Sequence, residues 1–283
     1  MAETNAEQRA YWNEQAGPIW VAMQERMDVQ IGAHGERALR VLAAQPGERV
    51  LDVGCGCGDT ALAIARAVGA SGRVLGVDIS APMLARARER AAAAGLTSTT
   101  FELADAQTHA LAAGAFDALF SRFGVMFFEA PGAAFTNLAR ALRPGGRVVF
   151  ACWQPVAHNL WVAAPMSALA GVLTLPPPPP PGAPGPFAFG DPERVRGILG
   201  EAGLREIELR SESLPMAFGG VDEAAAFLTD LGPASRAIRE AGGGDELRAK
   251  CTEAIKAAIA PHARGGKVEL GSAIWVVSAR KPA

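Results

Sequence analysis

A doubly wound α/β sheet of mainly parallel strands is the fold class predicted for this chain, on three observations. Short apolar runs alternate with helical periodicities between residues 46 and 154, a pattern that requires parallel strands joined by right-handed crossovers. The first run, Val50, Leu51 and Val53, passes directly into a turn with glycine at 54, 56 and 58. Helix punctuation falls where the alternation needs it, with Ser80 and Pro82 at a start and Gly95 at an end.

Taken in order, the chain opens with residues 3–44, which read as helical. Pro18 suits a first helical turn, and Ile19, Trp20, Met23, Met27 and Ile31 recur at spacings of three and four. Two readings of this arm stay open: it is pinned to the body by its apolar stripe, or it folds over a ligand. Strands are expected near 48–54, 73–78, 98–104, 115–121 and 146–153, with helices near 59–69, 81–95 and 132–142. After Trp153 comes a helix over 158–172. Six consecutive prolines, 176–181, then form the heart of a stiff polyproline connector within 155–190. Asp191 before Pro192 marks another helix start. Residues 204–218 and 267–279 read as two further strands, with a mostly helical insertion, 219–266, between them.

The glycine turn selects its ligand by charge and spacing. Dinucleotide enzymes use G-x-G-x-x-G, which from Gly54 would need glycine at 59, where Asp59 stands. Asp52 precedes the turn by two residues and would repel a pyrophosphate. A cationic ligand suits it better, and S-adenosylmethionine carries both an ammonium and a sulfonium. Asp78 ends the second strand where a ribose diol would be held, and Asp105, followed by Ala106, ends the third near an adenine amino group.

With the turn Leu142–Phe150, these segments resemble the class I S-adenosylmethionine-dependent methyltransferases over roughly residues 45–155. The resemblance implies a Rossmann-like sheet of seven strands in the order 3-2-1-4-5-7-6, the seventh antiparallel. It implies one methyltransferase domain over 46–283 preceded by an arm, 1–45, with S-adenosylmethionine as cofactor. The implied cofactor residues are Asp52, Gly54, Cys55, Gly56, Asp78, Ile79, Met83, Asp105, Ala106, Ser121 and Trp20. In such a sheet the sixth strand ends, and the seventh begins, on the ligand side. The 219–266 insertion is therefore expected to be a substrate cap.

Chemistry on the acceptor side is thinner. In-line methyl transfer needs an aligned nucleophile and, for a hydroxyl or ammonium, a proton acceptor. Of the four histidines, His158 follows the fifth strand and is the favoured base; His262 is second, His34 lies in the arm, and His109 reads as surface. Arg122 would neutralise an acidic or phenolate acceptor. Phe123, Trp153 and Phe218 are expected to line an apolar pocket, fit for a small organic acceptor methylated on oxygen or carbon. No Asn-Pro-Pro-Tyr sequence follows strand 4, where Ser121-Arg122-Phe123-Gly124 stands. A small amine acceptor and a non-catalytic cofactor-binding module are the alternatives.

Composition excludes several classes. The 283-residue chain is 49% hydrophobic and 20% charged with net charge −2, which argues for a globular core and against nucleic acid as partner. Four cysteines without C-x-x-C spacing argue against a metal site or a disulfide framework. With no apolar run of membrane length and a polar leader, the expected location is cytoplasmic, without membrane contact. A homodimer is allowed.

Overall fold

The computed structural model describes residues 5–283; the first four residues of the expected arm lie outside them. The chain divides into two compact units. The first holds residues up to Trp153, with 182–212 and 274–283. The second holds 154–181 and 213–273.

The strands are β1 (Arg49–Val53), β2 (Arg73–Asp78), β3 (Thr99–Leu103), β4 (Phe116–Arg122), β5 (Leu142–Trp153), β6 (Arg205–Ala217), β7 (Ala263–Arg264) and β8 (Lys267–Arg280). Their order, β3-β2-β1-β4-β5-β8-β6, is the expected one with β8 in the seventh strand's place. The first five strands pair in parallel, and β8 runs antiparallel to β5 from Arg147↔Arg280 to Trp153↔Ile274. The two-residue β7 closes a hairpin onto the start of β8. Strand β5 begins four residues earlier than expected, because Leu142 already pairs with Phe116 across an irregularity. The Gly145 N–H there donates to the Lys281 carbonyl at 3.0 Å, so the chain end draws the turn into the ladder.

In the first unit the arm forms four pieces: α1 (Ala6–Ala10), a π-helical turn Tyr11–Gln15, α2 (Ala16–Ala22) and α3 (Gln24–Leu42). Helix α3 buries Met27, Ile31, His34, Ala38 and Leu42, one stripe at helical spacing. Helices α4 (Asp59–Val68), α5 (Ala81–Ala93) and α6 (Pro131–Ala141) are the crossovers. The core between α6 and the sheet is aromatic, with Phe135 centred 5.6 Å from Phe150 and 6.2 Å from Phe189. Phe189, 1% exposed, belongs to this core. Helix α8 (Pro192–Glu201) is capped as expected, Asp191 accepting from the Glu193 N–H at 2.9 Å.

The second unit gathers α7 (Leu160–Leu169) with α9 (Val221–Asp230), α10 (Pro233–Ala241) and α11 (Gly244–Ile259). Residues 155–190 are thus not one connector. Helix α7 packs on α10 and α11, and only the exposed proline run that follows is a spacer. Apolar contact decides this, since α7 presents Val162, Pro165 and Leu169 as buried residues. No helix among the described residues is long and apolar enough to cross a membrane.

Candidate functional site

Strand β1 delivers its ligand-binding turn by a close approach of two backbones. Gly54 has φ +66°, and a Cβ there would lie 2.7 Å from the Gly124 Cα, beyond the end of β4. A side chain at 54 would force the β1 and β4 turns apart. Ser121 holds the same junction: its hydroxyl donates to the Val53 carbonyl at 2.7 Å and accepts from the Gly124 N–H at 3.2 Å. Ser121, expected beside the cofactor, is therefore buried in a backbone brace. Gly56 carries φ +54°, and a Cβ on it would meet the Met83 methyl at 2.9 Å, so Met83 sits over bare backbone. Cys55 is buried, and burial pushes its thiol pKa well up, which suits a spacer and not a nucleophile.

Two carboxylates face this cradle. Asp52 is fully buried; one oxygen accepts from the Thr60 hydroxyl at 2.7 Å and the other has no hydrogen-bond partner. Desolvation pushes its pKa up to about 7, against the lowering pull of Thr60 and Arg122. Asp78, at the end of β2, accepts from the Gly56 N–H at 2.8 Å and the Ser80 N–H at 2.9 Å. Burial raises its pKa while those N–H donors oppose the shift. A carboxylate has about four acceptor positions, so Asp78 keeps capacity for two hydroxyls. A half-buried, electron-rich cradle of bare backbone with an unpartnered carboxylate oxygen fits a cationic nucleoside and would repel a pyrophosphate.

The arm runs along the strand ends. Asn13 donates to the Ile79 carbonyl at 2.8 Å and accepts from the Ala81 N–H at 2.9 Å. Ser80, expected to cap α5, instead gives its hydroxyl to the Trp12 carbonyl at 2.8 Å. Trp12 meets Phe127 edge-on at 5.2 Å and Trp20 at 6.0 Å, so Trp20 reaches the site's edge through Trp12. A cleft of about 420 Å³ lies against this arm, lined by Ala6, Ala10, Asn13, Ile79, Leu103 and Asp105. Asp105 and its neighbour Ala106 are buried. Asp105 receives the Gln107 N–H at 2.9 Å and the Asn5 side-chain amide at 2.8 Å. The arm is thus pinned to the body at the segments that follow β2 and β3.

At the ends of β4 and β5, Phe123 and Trp153 stack in parallel, 4.2 Å apart and 7° from coplanar. Phe123 adopts φ +63°, a strained conformation for an aromatic residue. His34 packs edge-on against Trp153 at 5.1 Å. Burial first, and Arg122 second, lower the His34 pKa to about 4, so the imidazole is neutral near pH 7. Arg122 is committed to Asp59 at 2.7 Å, and Arg90 joins Asp28 at 2.7 Å and the Cys57 carbonyl at 2.8 Å. This half-buried charge chain ties α3, the glycine turn and β4 together. A phenolate-neutralising role for Arg122 therefore has to compete with Asp59.

His158 and Phe218 belong to the second unit. His158 is exposed, with Nδ1 2.9 Å from the Gln154 amide oxygen. Phe218 tilts against Phe227 at 5.6 Å. His109 pairs with Glu102 at 2.9 Å near the surface, as expected. Sequence reasoning passed over Asn5, Asn13 and Thr60, and placed His34 in the arm without a role. For His34 the signal was present, because it continues the Met27–Ile31 stripe of α3. No cluster able to hold a metal occurs among the described residues.

A family model described as a methyltransferase domain matches residues 50–146. The chain is 29% identical over 252 residues to a nocamycin O-methyltransferase of Saccharothrix syringae, covering 86% of this chain and 89% of that one. It is 35% identical over 116 residues to the aklanonic acid methyltransferase DauC of Streptomyces sp. strain C5, covering 41% of this chain and 53% of that one. Its fold matches a Haemonchus contortus phosphoethanolamine N-methyltransferase 2 solved with phosphomonomethylethanolamine and S-adenosylhomocysteine. There the TM-score is 0.55 at 20% identity, over 89% of this chain and 53% of that one.

Proposed function

We propose that this chain, which belongs to the class I S-adenosylmethionine-dependent methyltransferases, methylates oxygen or carbon of a small, largely apolar or aromatic acceptor. The enzyme's cofactor is S-adenosylmethionine, which when bound supplies a methyl group activated on sulfur. Bare backbone at Gly54 lets the β1 and β4 turns close on each other and that at Gly56 admits Met83, which shapes the turn that would receive the cofactor. Asp52 lies behind that turn with one buried oxygen outside any hydrogen bond, a partner for positive charge. Asp78 has capacity for the ribose hydroxyls, with Ile79 and Met83 as apolar flanks. Asp105 and Ala106 suit the adenine edge.

The observation that carries the acceptor class is the parallel Phe123–Trp153 stack beyond β4 and β5, beside a neutral, buried His34. A buried aromatic neighbourhood with one neutral imidazole favours planar acceptors over charged amines. Similarity to a nocamycin O-methyltransferase and an aklanonic acid methyltransferase supports the same class. Two residues are assigned to the acceptor side from sequence order: His158 as base and Arg122 as partner of an acidic acceptor group.

The test is methyl transfer from radiolabelled cofactor to a panel of phenols, enols, quinols and amines. Label should enter planar hydroxyl or enol acceptors; transfer confined to amines would reject the proposal. In the same assay, His158→Ala should lower turnover about 10²–10⁴-fold at unchanged cofactor affinity, the usual worth of general base catalysis. Full activity would remove His158 as the base and leave His34 as the buried imidazole to examine.

A further inference from the structure

We propose that Asn5 is an intramolecular stand-in for the adenine edge of the cofactor, so that binding requires the leading arm to give up Asp105. The inference rests on the cofactor-site reading given above.

Adenine presents an amino donor beside a ring-nitrogen acceptor on one edge. A primary carboxamide presents the same pair, an N–H₂ beside a C=O. Asn5 uses both: Nδ2 donates to Asp105 Oδ2 at 2.8 Å, and Oδ1 accepts from the Glu129 N–H at 3.1 Å. Its own backbone N–H donates to Glu129 Oε2 at 2.8 Å. Asp105 has its other oxygen engaged by the Gln107 N–H at 2.9 Å, so Oδ2 is the oxygen turned to an incoming amino group. The amide therefore satisfies the acid that the cofactor site offers to adenine.

Local structure fits a contact held for this purpose. Asn5 is 5% exposed. Its φ of 59° and ψ of 22° are left-handed, a conformation Asn tolerates better than most residues. The cleft of about 420 Å³ against the arm ends at Asp105 and is in the size range of small-molecule sites. The chain between Asn5 and the Asn13 anchor is one short helix and part of a π-helical turn. Releasing Asn5 alone would leave the Asn13 bonds to Ile79 and Ala81 in place.

Competition predicts a sign that direct contact does not. If Asn5 competes with adenine, only the released fraction of molecules binds, and removing the amide raises apparent affinity. If Asn5 instead touched the bound cofactor, removing it would lower affinity. Calorimetric titration of the full chain with S-adenosylhomocysteine should show Asn5→Ala binding roughly 3–30-fold tighter. Asn5→Asp, which sets a carboxylate against Asp105, should bind tighter too. Asp105→Asn should bind more weakly, and the inosine analogue of the ligand, which lacks the amino group, should bind poorly to every variant with Asp105.

Equal or weaker binding by Asn5→Ala and Asn5→Asp overturns the stand-in while leaving the adenine reading intact. Unchanged binding by Asp105→Asn overturns the adenine reading and the proposal with it. Hydrogen exchange gives an independent readout: amides of residues 5–10 should exchange faster in the complex, and slower exchange would contradict displacement.

Discussion

Asp52 is where one residue's environment sets a measurable behaviour. An ordinary aspartate is ionised above pH 4, but this one, buried with one oxygen unpartnered, holds its proton to about pH 7. Between those values the native state binds a proton that the unfolded chain does not, so stability without ligand falls as pH rises through the window. A cationic ligand reverses the preference, because it favours the carboxylate. Binding below pH 7 must then expel a proton, and cofactor affinity should rise up to about ten-fold from pH 6 to pH 8. Calorimetry in buffers of differing ionisation heat measures that proton directly. Asp52→Asn should abolish both the release and the pH dependence; a flat profile in the parent protein would remove Asp52 from the cofactor's charge partners. From sequence, Asp52 was legible as an acid beside a turn, but its single bond to Thr60 was not.

At the scale of elements, the β1 and β4 turns act as one part. Gly54 and Gly124 touch backbone to backbone, and Ser121 fastens the contact with two hydrogen bonds. Gly54→Ala should cost about 1–3 kcal/mol for a left-handed non-glycine residue, before any cost of moving Gly124 aside. Thermal unfolding reads the loss, and cofactor binding should weaken in the same variant, since the cradle opens. Wild-type stability in that variant would show that the junction yields freely. The arm is the element that sequence resolved least. Its apolar stripe was visible, but Asn5 and Asn13 carry no periodic signal. Their partners, Asp105, Glu129, Ile79 and Ala81, stand 66 or more positions away, and only folding brings them close.

For the molecule as a whole, chain order and compact units do not coincide. Three separated stretches build the sheet unit and two build the helical one, with the exposed proline run ending at the Pro181–Gly182 boundary. Prolines there limit the unfolded chain more than the folded one, so replacing 176–181 with glycine and serine should lower stability by about 0.4–1 kcal/mol per position. Turnover should survive, because a spacer contributes no side-chain chemistry; loss of methyl transfer at retained fold would give the prolines a direct role. The sheet order came from the family resemblance, whereas the crossovers, the glycine turn and the acids at the ends of β1, β2 and β3 were determined by sequence alone. Each of these is local: a period, a turn residue or a strand-end acid is written within a few consecutive positions. What tertiary structure decided is which groups remain available to a ligand. Ser121 is used up in a brace, Arg122 is held by Asp59, and His34 is brought under Trp153. Such assignments depend on burial and on partners remote in sequence, and those exist only once the chain has packed.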